Sequence, residues 1–337
     1  MEVTRARTEV ALAVEDDSQI GAARRGGSAV ARIAGLSETD TGRTAIIINE
    51  LATNLIRHAG GGRILVRALA EQVPGVEVIT IDSGPGIRNV TEAFRDGHST
   101  GGTPGAGLGA VRRLSDLCDL YTGASGTVIL ARVSGRPGRS APSRLQAGAV
   151  SHPLRGEIVN GDGWTMATDE TRSCILVSDG LGHGPPASAA TAVAIRTFDA
   201  APWRPLPEQL QALHAALRPT RGAAVAIAQI DHQSNTVRYV GCGNIAGVIL
   251  TDGEPRSLVS HNGTVGHSCR RFTEFVYDWS PRSMLVMHSD GLHHGWRLEN
   301  YPGLVERHPS LIAAVLMRDF ERGRDDTTVL VAREPAA

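Results

Sequence analysis

Three short polar and glycine-rich segments between Glu50 and Ala110 constrain the fold more than any other feature of the sequence. They are ELATN at Glu50–Asn54, DSGPGI at Asp82–Ile87 and GTPGAGLGA at Gly102–Ala110. Each segment alone is a weak signal, because polar helix positions and glycine-rich turns are common in proteins. Their order and spacing together predict one nucleotide-binding surface built from a helix, the end of a strand and a glycine-rich loop.

The first segment lies on a long helix that the sequence predicts to begin after Ser37 as N-cap. Glu50 and Asn54 are four residues apart, so they share one face of this helix. An Asn oxygen is a suitable ligand for Mg²⁺, and a Glu carboxylate can orient or deprotonate an attacking hydroxyl. The alternative is that both side chains simply face solvent, as isolated polar helix positions often do.

The second segment follows a predicted strand at Val76–Ile81, which places Asp82 in a turn with Gly84 and Gly86. The Asp can accept a hydrogen bond from an exocyclic amine, and the glycines let the backbone approach a flat ring. An ordinary surface turn is the alternative.

The third segment places Gly105, Gly107 and Gly109 at the start of a helix predicted over Gly105–Leu117. Free backbone N–H groups and the positive end of a helix bind phosphates, although a flexible linker has a similar composition. Since the sequence contains no Lys, the charge of a γ-phosphate must be met by Mg²⁺, by the loop or by an Arg. Arg88, Arg95 and Arg112 are equally open candidates.

These segments resemble the N, G1 and G2 boxes of the GHKL ATPase family, which has the Bergerat fold, over about residues 8–133. Within that family, ELATNLIRHA is most similar to the RsbT/RsbW serine kinases of bacterial stress signalling. The resemblance implies that Asn54 holds Mg²⁺, that Glu50 is the catalytic base toward a substrate serine and that Asp82 binds adenine. The glycines of the third segment would line the phosphates.

A change in composition divides the chain at Ser134–Ala149, which is rich in Gly, Pro, Ser and Arg and has no apolar period. Such a segment is typical of an exposed linker, and 337 residues favour two domains over one. The sequence therefore predicts domains at residues 1–133 and 150–337, joined by a linker at residues 134–149.

Four aspartates mark strand ends or turns in the second domain: Asp162, Asp179, Asp290 and Asp325. The domain is predicted to open with strands near Glu157–Val159 and Gly163–Ala167, and Asp179 and Asp290 each follow an apolar strand and precede a glycine. Several Asp side chains without a Cys partner suit Mg²⁺ or Mn²⁺ better than Zn²⁺. The alternative is that each Asp-Gly pair marks a turn.

This pattern resembles the metal-dependent PPM serine/threonine phosphatases, in particular the SpoIIE/RsbU/RsbX branch, over about residues 150–333. The resemblance implies two Mn²⁺ or Mg²⁺ ions bridged by Asp162 and Asp179, with the Gly180 carbonyl on one ion. Asp290 and Asp325 would complete the second ion, with Asp325 preferred to Asp326. The expected fold is α+β, a Bergerat α/β sandwich followed by a β-sandwich flanked by helices.

Together the resemblances imply a bifunctional switch protein in bacterial stress and sigma-factor signalling. The first domain, with ATP and Mg²⁺, would phosphorylate a serine of a STAS-domain protein such as an anti-sigma antagonist, and the second would remove such a phosphate. In the alternative, the GHKL domain only binds ATP or a STAS partner and regulates the phosphatase. A third interpretation is direct sequestration of a sigma factor. Glu50 discriminates among them, because an ATP sensor needs no catalytic base.

Composition excludes several other classes. The net charge of −1 provides no basic field for nucleic acid. No apolar run reaches the roughly 18 residues that a membrane-spanning helix needs. The four cysteines have no disulfide or metal-site spacing, so we expect a cytoplasmic protein. A homodimer is one form of assembly that we consider.

Overall fold

The structure is a computed structural model that describes residues 2–5, 9–69, 73–94, 107–135 and 144–335. The chain divides into two units, which we call the N-terminal unit and the C-terminal unit. The N-terminal unit comprises Ala6–Ala141 and Glu306–Asp319. The C-terminal unit comprises Met1–Arg5, Pro142–Val305 and Phe320–Ala337. Two segments, residues 1–5 and 306–319, therefore belong to the unit opposite to the one that the predicted domain boundaries give them.

Six strands and four helices lie in the described residues of the first half of the chain. They are β1 (Glu2–Arg5), β2 (Glu9–Val14), α1 (Asp17–Ile33), α2 (Glu38–Asn54), β3 (Gly62–Leu69), β4 (Gly75–Ile81), α3 (Val90–Ala93), α4 (Gly107–Leu114), β5 (Leu117–Gly123) and β6 (Gly126–Ser134). Strand β1 pairs with the C-terminal unit, and the other five strands form one antiparallel sheet in the order β2-β3-β4-β6-β5. A π-helical turn at Leu55–Ala59 follows α2.

Two capped helices pack on this sheet. The Asp16 carboxylate and the Gln19 carboxamide form a capping box at the start of α1. Helix α2 begins after the predicted N-cap Ser37, whose hydroxyl oxygen accepts the N–H of Asp40. The apolar side chains of α1, α2 and one sheet face form a single core, which includes Val30, Ile47, Ile48, Leu51, Ile64, Val66 and Val78. Burial of this stripe stabilises helices whose isolated segments would be marginal in water.

The second half contributes ten strands and three helices. They are β7 (Gln146–His152), β8 (Asp162–Thr168), β9 (Arg172–Gly180), α5 (Pro185–Asp199), α6 (Leu206–Leu217), β10 (Ala223–Asp231), β11 (Thr236–Cys242), β12 (Ala246–Thr251), β13 (Glu254–Ser257), β14 (Phe275–Asp278), β15 (Ser283–His288), α7 (Pro309–Phe320) and β16 (Thr327–Arg333). They build two antiparallel sheets with the strand orders β1-β8-β9-β10-β11-β14 and β13-β12-β15-β16-β7. Side chains of α5 and α6 share a core with β9, β10 and β11. The predicted α+β class is confirmed. No helix in the described part of the chain is long and apolar enough to cross a membrane.

Three local predictions are wrong. Residues 146–149 of the predicted linker belong to β7, which pairs with β16 through its small residues. The helix predicted over Gly105–Leu117 ends at Leu114, and Leu117 instead begins β5, which pairs with β6. Residues 157–159 form a loop where a strand was predicted. Two of these segments are strands, which depend on a partner strand that local composition does not specify: β16 for β7 and the neighbouring β6 for β5.

A buried ion cluster lies on the sheet of the N-terminal unit. The fully buried Glu77 of β4 accepts hydrogen bonds from Arg132 Nε at 2.7 Å and from the Ser310 hydroxyl at 2.9 Å. Arg67 Nη2 lies 2.6 Å from the other Glu77 oxygen. Ser310 is in α7, 233 residues away in sequence, so this cluster joins segment 306–319 to the sheet. Burial alone would raise the pKa of Glu77, but Arg67, Arg132 and His308 outweigh it and lower the pKa to about 2.

Glu77→Gln tests this cluster, because it keeps the side-chain shape and leaves two buried arginines without a carboxylate. We expect a loss of about 3–5 kcal/mol in the free energy of unfolding at pH 7, measured by urea denaturation of the full chain. The folded-state pKa of about 2 lies below the ordinary value of 4.5, so this stabilisation is complete above pH 4.5 and is lost as the pH falls toward 2.

The difference between Glu77→Gln and the wild type should therefore be smaller at pH 3 than at pH 7. Glu38→Gln, at an exposed position of α2, is the matched control and should change stability little at either pH. An equal loss for Glu77→Gln at both pH values would contradict the assigned pKa.

Candidate functional sites

Helix α2 presents Glu50 and Asn54 on one face, both half-buried, near its end. The Glu50 Oε2 atom accepts the backbone N–H of Gly107 at 2.9 Å. Gly107 is the first residue of α4, so the carboxylate lies at the positive end of that helix. The first and third sequence segments therefore meet in the structure.

Asp82 follows β4 and is fixed by backbone donors. Its Oδ1 atom accepts the N–H of Gly84 at 2.9 Å and the N–H of Thr127 at 3.0 Å. The backbone N–H of Asp82 in turn donates to the Thr127 carbonyl at 3.0 Å. These bonds hold the carboxylate in one orientation. Thr127 is a positioning residue that the sequence reasoning missed, although its place beside Gly126 at a strand start could have suggested a contact.

The turn after Asp82 requires glycine. Gly86 has a φ of +75°, and a Cβ there would lie 2.3 Å from the carbonyl oxygen of Gly123. The next residue, Ile87, donates its N–H to the Thr122 hydroxyl at 2.8 Å. A Cβ at Gly84 would lie 2.8 Å from Ala59, in the π-helical turn that follows Asn54. The second segment is thus a packed turn beside the first.

The structure describes some of the other residues predicted for this site and leaves two of them outside the described ranges. Gly107 and Gly109 both lie in α4, whereas Gly105 and Arg95 lie outside the described residues. The Arg112 guanidinium lies 5.8 Å from the centre of the Phe94 ring. Arg88 is exposed beside the turn. The choice among the three arginines therefore stays open.

In the C-terminal unit, Asp162 and Asp179 face each other across two strands. Asp162 is the first residue of β8, and in the antiparallel register it pairs directly with Asp179 near the end of β9. Asp162 is buried and Asp179 is half-buried. Like charges at directly opposed positions destabilise a strand pair. Positive charge close to these two carboxylates would therefore stabilise this part of the ladder.

Asp290 and Asp325 come from the second sheet of the same unit. Asp290 follows β15 by two residues and accepts a hydrogen bond from Asn244 Nδ2 at 2.6 Å. Asp325 is half-buried and precedes β16. The hydroxyl of Ser289, which lies beside Asp290, donates to Asp162 Oδ2 at 2.6 Å. This bond joins the end of β15 to the start of β8.

The neighbouring Asp326 has a structural environment that differs from that of Asp325. It is buried, and its two carboxylate oxygens accept the N–H groups of Leu154 at 2.7 Å and Gly161 at 2.8 Å. Both oxygens of Asp326 are thus engaged by backbone donors, whereas Asp325 accepts the N–H of Asp326 on Oδ1 alone within the described part of the chain. This arrangement supports Asp325 as the metal ligand.

The carboxylates share one electrostatic environment. Burial raises the pKa of Asp162 and of Asp179, and the charges of Asp290, Asp325 and Asp326 raise both further. Among the residues that the structure describes, no three His, Cys, Asp or Glu side chains already form a group that could hold a metal ion. The donors are nevertheless all oxygen atoms with mutually repelling charge, a set that fits Mg²⁺ or Mn²⁺.

Gly180 follows Asp179 at a point of close packing. A Cβ at Gly180 would lie 2.2 Å from the Ala187 carbonyl oxygen, so only glycine lets α5 approach the end of β9. Beyond it, His183 Nδ1 lies 2.7 Å from Glu157 Oε1. Asn244, Ser289 and Glu157 are site residues that the sequence reasoning missed, and only Asn244, in a Gly-Asn turn after β11, has a recognisable local signal.

Comparisons with known proteins match this architecture. Residues 13–133 match the histidine kinase-like ATPase domain, and residues 169–335 match the stage II sporulation protein E (SpoIIE) family. The chain is 41% identical to the serine/threonine-protein kinase RsbT of Bacillus subtilis (strain 168) over 98 residues, which are 29% of this chain and 74% of RsbT. It is 22% identical to the phosphoserine phosphatase RsbX of the same organism over 138 residues, 41% of this chain and 69% of RsbX.

A solved chain from the bacterial stressosome, described as a modular system adapted to control secondary messenger signalling, is also similar. It has a TM-score of 0.52 and 27% sequence identity, covering 56% of this chain and 99% of that one. The fold and site thus define a kinase-like ATPase domain joined to a PPM-type serine/threonine phosphatase domain. The chain belongs to the RsbT family through its N-terminal unit and carries a SpoIIE-type phosphatase domain in its C-terminal unit, as the sequence resemblance predicted.

Asp179→Asn tests the repulsion between the opposed carboxylates. With EDTA present, we expect this variant to be more stable than the wild type by about 1 kcal/mol, because one of two facing charges is removed. Added Mn²⁺ should raise the thermal unfolding temperature of the wild type and have little effect on the variant. Asp278→Asn, at an exposed position of β14, is the control and should respond to Mn²⁺ like the wild type.

The same pair predicts a pH dependence in EDTA. The folded-state pKa values of Asp162 and Asp179 are raised above the ordinary 3.8, so the folded state binds more protons than the unfolded chain above pH 4. The stability of the metal-free protein should consequently fall as the pH rises from about 4, and Asp179→Asn should reduce this fall. Identical pH profiles for the two proteins would show that the carboxylates do not interact.

Proposed function

We propose that this chain is a bifunctional regulatory switch. The C-terminal unit removes phosphate from phosphoserine in a metal-dependent reaction, and the N-terminal unit transfers phosphate from ATP to a serine. The names of two relatives, the serine/threonine-protein kinase RsbT and the phosphoserine phosphatase RsbX, support these two activities. As substrates of both reactions we propose STAS-domain proteins that regulate a sigma factor. The observation that carries the proposal is the direct opposition of the buried Asp162 and the half-buried Asp179, whose mutual repulsion a bound cation would relieve.

For the phosphatase, Asp162 and Asp179 would help to hold both of two Mn²⁺ or Mg²⁺ ions, and the Gly180 carbonyl would contribute to one of them. Asp290 and Asp325 would hold the second ion. Bound ions of this kind supply Lewis-acid chemistry for phosphoester hydrolysis. Ser289 and Asn244 position the carboxylates through their hydrogen bonds to Asp162 and Asp290.

For the kinase, Asp82 would bind adenine at the turn containing Gly84 and Gly86, and Asn54 would hold Mg²⁺. The phosphates would lie against Gly107 and Gly109 in the first turn of α4, and Gly105, which lies outside the described residues, would also contribute. Glu50, one helical turn from Asn54, would accept the proton of the substrate serine. Its hydrogen bond to Gly107 supports a position beside the phosphates.

One observation favours the alternative in which the N-terminal unit only binds ATP or a STAS partner and regulates the phosphatase. The Glu50 carboxylate is already engaged by the Gly107 N–H at 2.9 Å, so it serves as a helix cap in this state. A glutamate with that role could be retained without catalysis. In either form, we infer a cytoplasmic protein, because ATP and the STAS partners are found there.

Glu50→Gln separates the two forms, because glutamine keeps an oxygen acceptor for the Gly107 N–H and removes the base. We expect incubation with γ-labelled ATP and serine-containing STAS proteins of the source organism to label a serine in the wild type only. ATP binding, measured by calorimetry, should be retained in the variant. Glu92→Gln in α3 is the control and should keep the label. Binding of ATP without labelling of any partner in the wild type would favour the regulatory form.

Asp290→Asn tests the phosphatase. We expect Mn²⁺-dependent hydrolysis of p-nitrophenyl phosphate by the full chain to fall at least about 100-fold, because a ligand of the second ion loses its charge. Asp278→Asn is the matched control with unchanged activity. Full activity of Asp290→Asn would contradict the metal assignment.

A further inference from the structure

Large apolar side chains are exposed on two loops of the C-terminal unit beside the carboxylates. Ile158 is 96% exposed, Leu181 is 54% exposed and Val159 is 38% exposed. Single exposed apolar residues are common on protein surfaces, but a group of them next to a candidate site marks an interaction surface more often. We call these three residues the apolar rim.

The two loops are held against each other at several points. His183 Nδ1 lies 2.7 Å from Glu157 Oε1, and the Gly180 N–H donates to the Gly161 carbonyl at 3.2 Å. A Cβ at Gly184 would lie 2.9 Å from Glu157 Oε2. These contacts bind the segment that carries Ile158 and Val159 to the segment that carries Leu181. The apolar rim is therefore one surface contributed by two joined loops.

The apolar rim borders the carboxylate centre along the chain on both sides. Ile158 precedes Asp162 by four residues, and Leu181 follows Asp179 by two. The Asp162 and Asp179 carboxylates are themselves paired across β8 and β9. Any phosphoserine that reaches these carboxylates must therefore bring its neighbouring residues close to the two loops.

The rim contributes little to the fold of its own unit. Ile158 at 96% exposure removes almost no apolar surface from water, so its side chain gives the loop almost no hydrophobic stabilisation. The loop is instead held by polar contacts, those of Glu157 with His183 and of the Gly161 N–H with Asp326. The apolar side chains at its tip are thus free to contact a partner.

We propose that the apolar rim is the docking surface for the polypeptide around the phosphoserine, and that it selects segments with apolar residues beside that phosphoserine. This inference rests on the phosphatase function proposed above. A free phosphate or a small phosphomonoester has no surface that the rim could contact, so the rim favours a protein substrate.

The test uses two synthetic phosphoserine decapeptides that differ only beside the phosphoserine, with Leu and Val in one and Ser and Gly in the other. For the full chain with Mn²⁺, we expect the KM of the apolar peptide to be lower on the order of tenfold, with similar kcat values. The double variant Ile158→Ser/Leu181→Ser should lose this preference and keep its kcat for p-nitrophenyl phosphate. Val276→Ser, which replaces a 58% exposed valine of β14, is the control and should keep the preference.

Peptide binding can also be measured without turnover, which tests the apolar rim independently of the kinetics. Fluorescence anisotropy of the labelled apolar peptide on the Asp290→Asn full chain should show binding that is lost on adding Ile158→Ser alone. Leu181 is next to the proposed ligand Gly180, so Leu181→Ser also changes the surroundings of that ligand. Ile158 is not adjacent to any proposed ligand, so loss of binding in Ile158→Ser reports on the apolar rim alone.

The outcomes separate the two levels of the proposal. No Mn²⁺-dependent hydrolysis of p-nitrophenyl phosphate by the wild type would overturn the phosphatase function itself. Hydrolysis of that compound with equal KM values for the two peptides would overturn the docking surface alone. Persistence of the preference in the double variant would also overturn it, since another surface would then select the flanking residues.

Discussion

The opposed carboxylates of Asp162 and Asp179 are the interaction on which the C-terminal unit is organised. Seven registered pairs of the β8–β9 ladder bring them together, and most of the other paired residues are buried. The ladder thus imposes a repulsion between the two carboxylates. A shift of one strand by one residue would remove this repulsion, because it turns that strand's side chains to the opposite face of the sheet. The hydrophobic pairing of the strands holds the charges in place, and the charges then create the demand for a cation. Stability is given up here for a site, as happens at many functional centres.

Glu77 of the N-terminal unit is a buried carboxylate whose charge is compensated within the chain. It is completely buried, yet Arg67, Arg132 and Ser310 supply positive charge and a hydrogen bond from within the chain. A buried charge that the protein itself compensates serves structure, because removing either partner leaves the other uncompensated. Among the residues that the structure describes, Asp162, Asp179, Asp290 and Asp325 form no ion pair with an Arg, whereas Asp169, for example, pairs with Arg172. The difference in compensation, more than the difference in burial, separates the structural Glu77 from the four aspartates proposed as metal ligands.

The sequence predicted those features that depend on local chemistry. Ser37 as N-cap, the pairing of Glu50 with Asn54 on one helix face and the Asp-Gly strand ends all follow from spacing within a few residues. It did not predict features that depend on distant partners. Strand β7 depends on its pairing with β16, and the place of Ser310 follows from a contact with Glu77 across 233 residues. Asn244 and Ser289 were missed for the same reason, since their roles arise only when β15 reaches β8 and Asp290.

The Glu50–Gly107 hydrogen bond bears on how the proposed kinase would respond to nucleotide. A kinase and a phosphatase that act on related substrates would cancel each other if both worked without control. The N–H that Glu50 now accepts is one of the donors that the start of α4 would offer to the phosphates of ATP. Phosphate and carboxylate would then compete for the same donor, and Glu50 would be released as a base only when nucleotide is bound. The hydrogen bond to Gly107 would thereby restrain the proposed kinase, because catalysis needs the Glu50 carboxylate free and the cap needs it engaged.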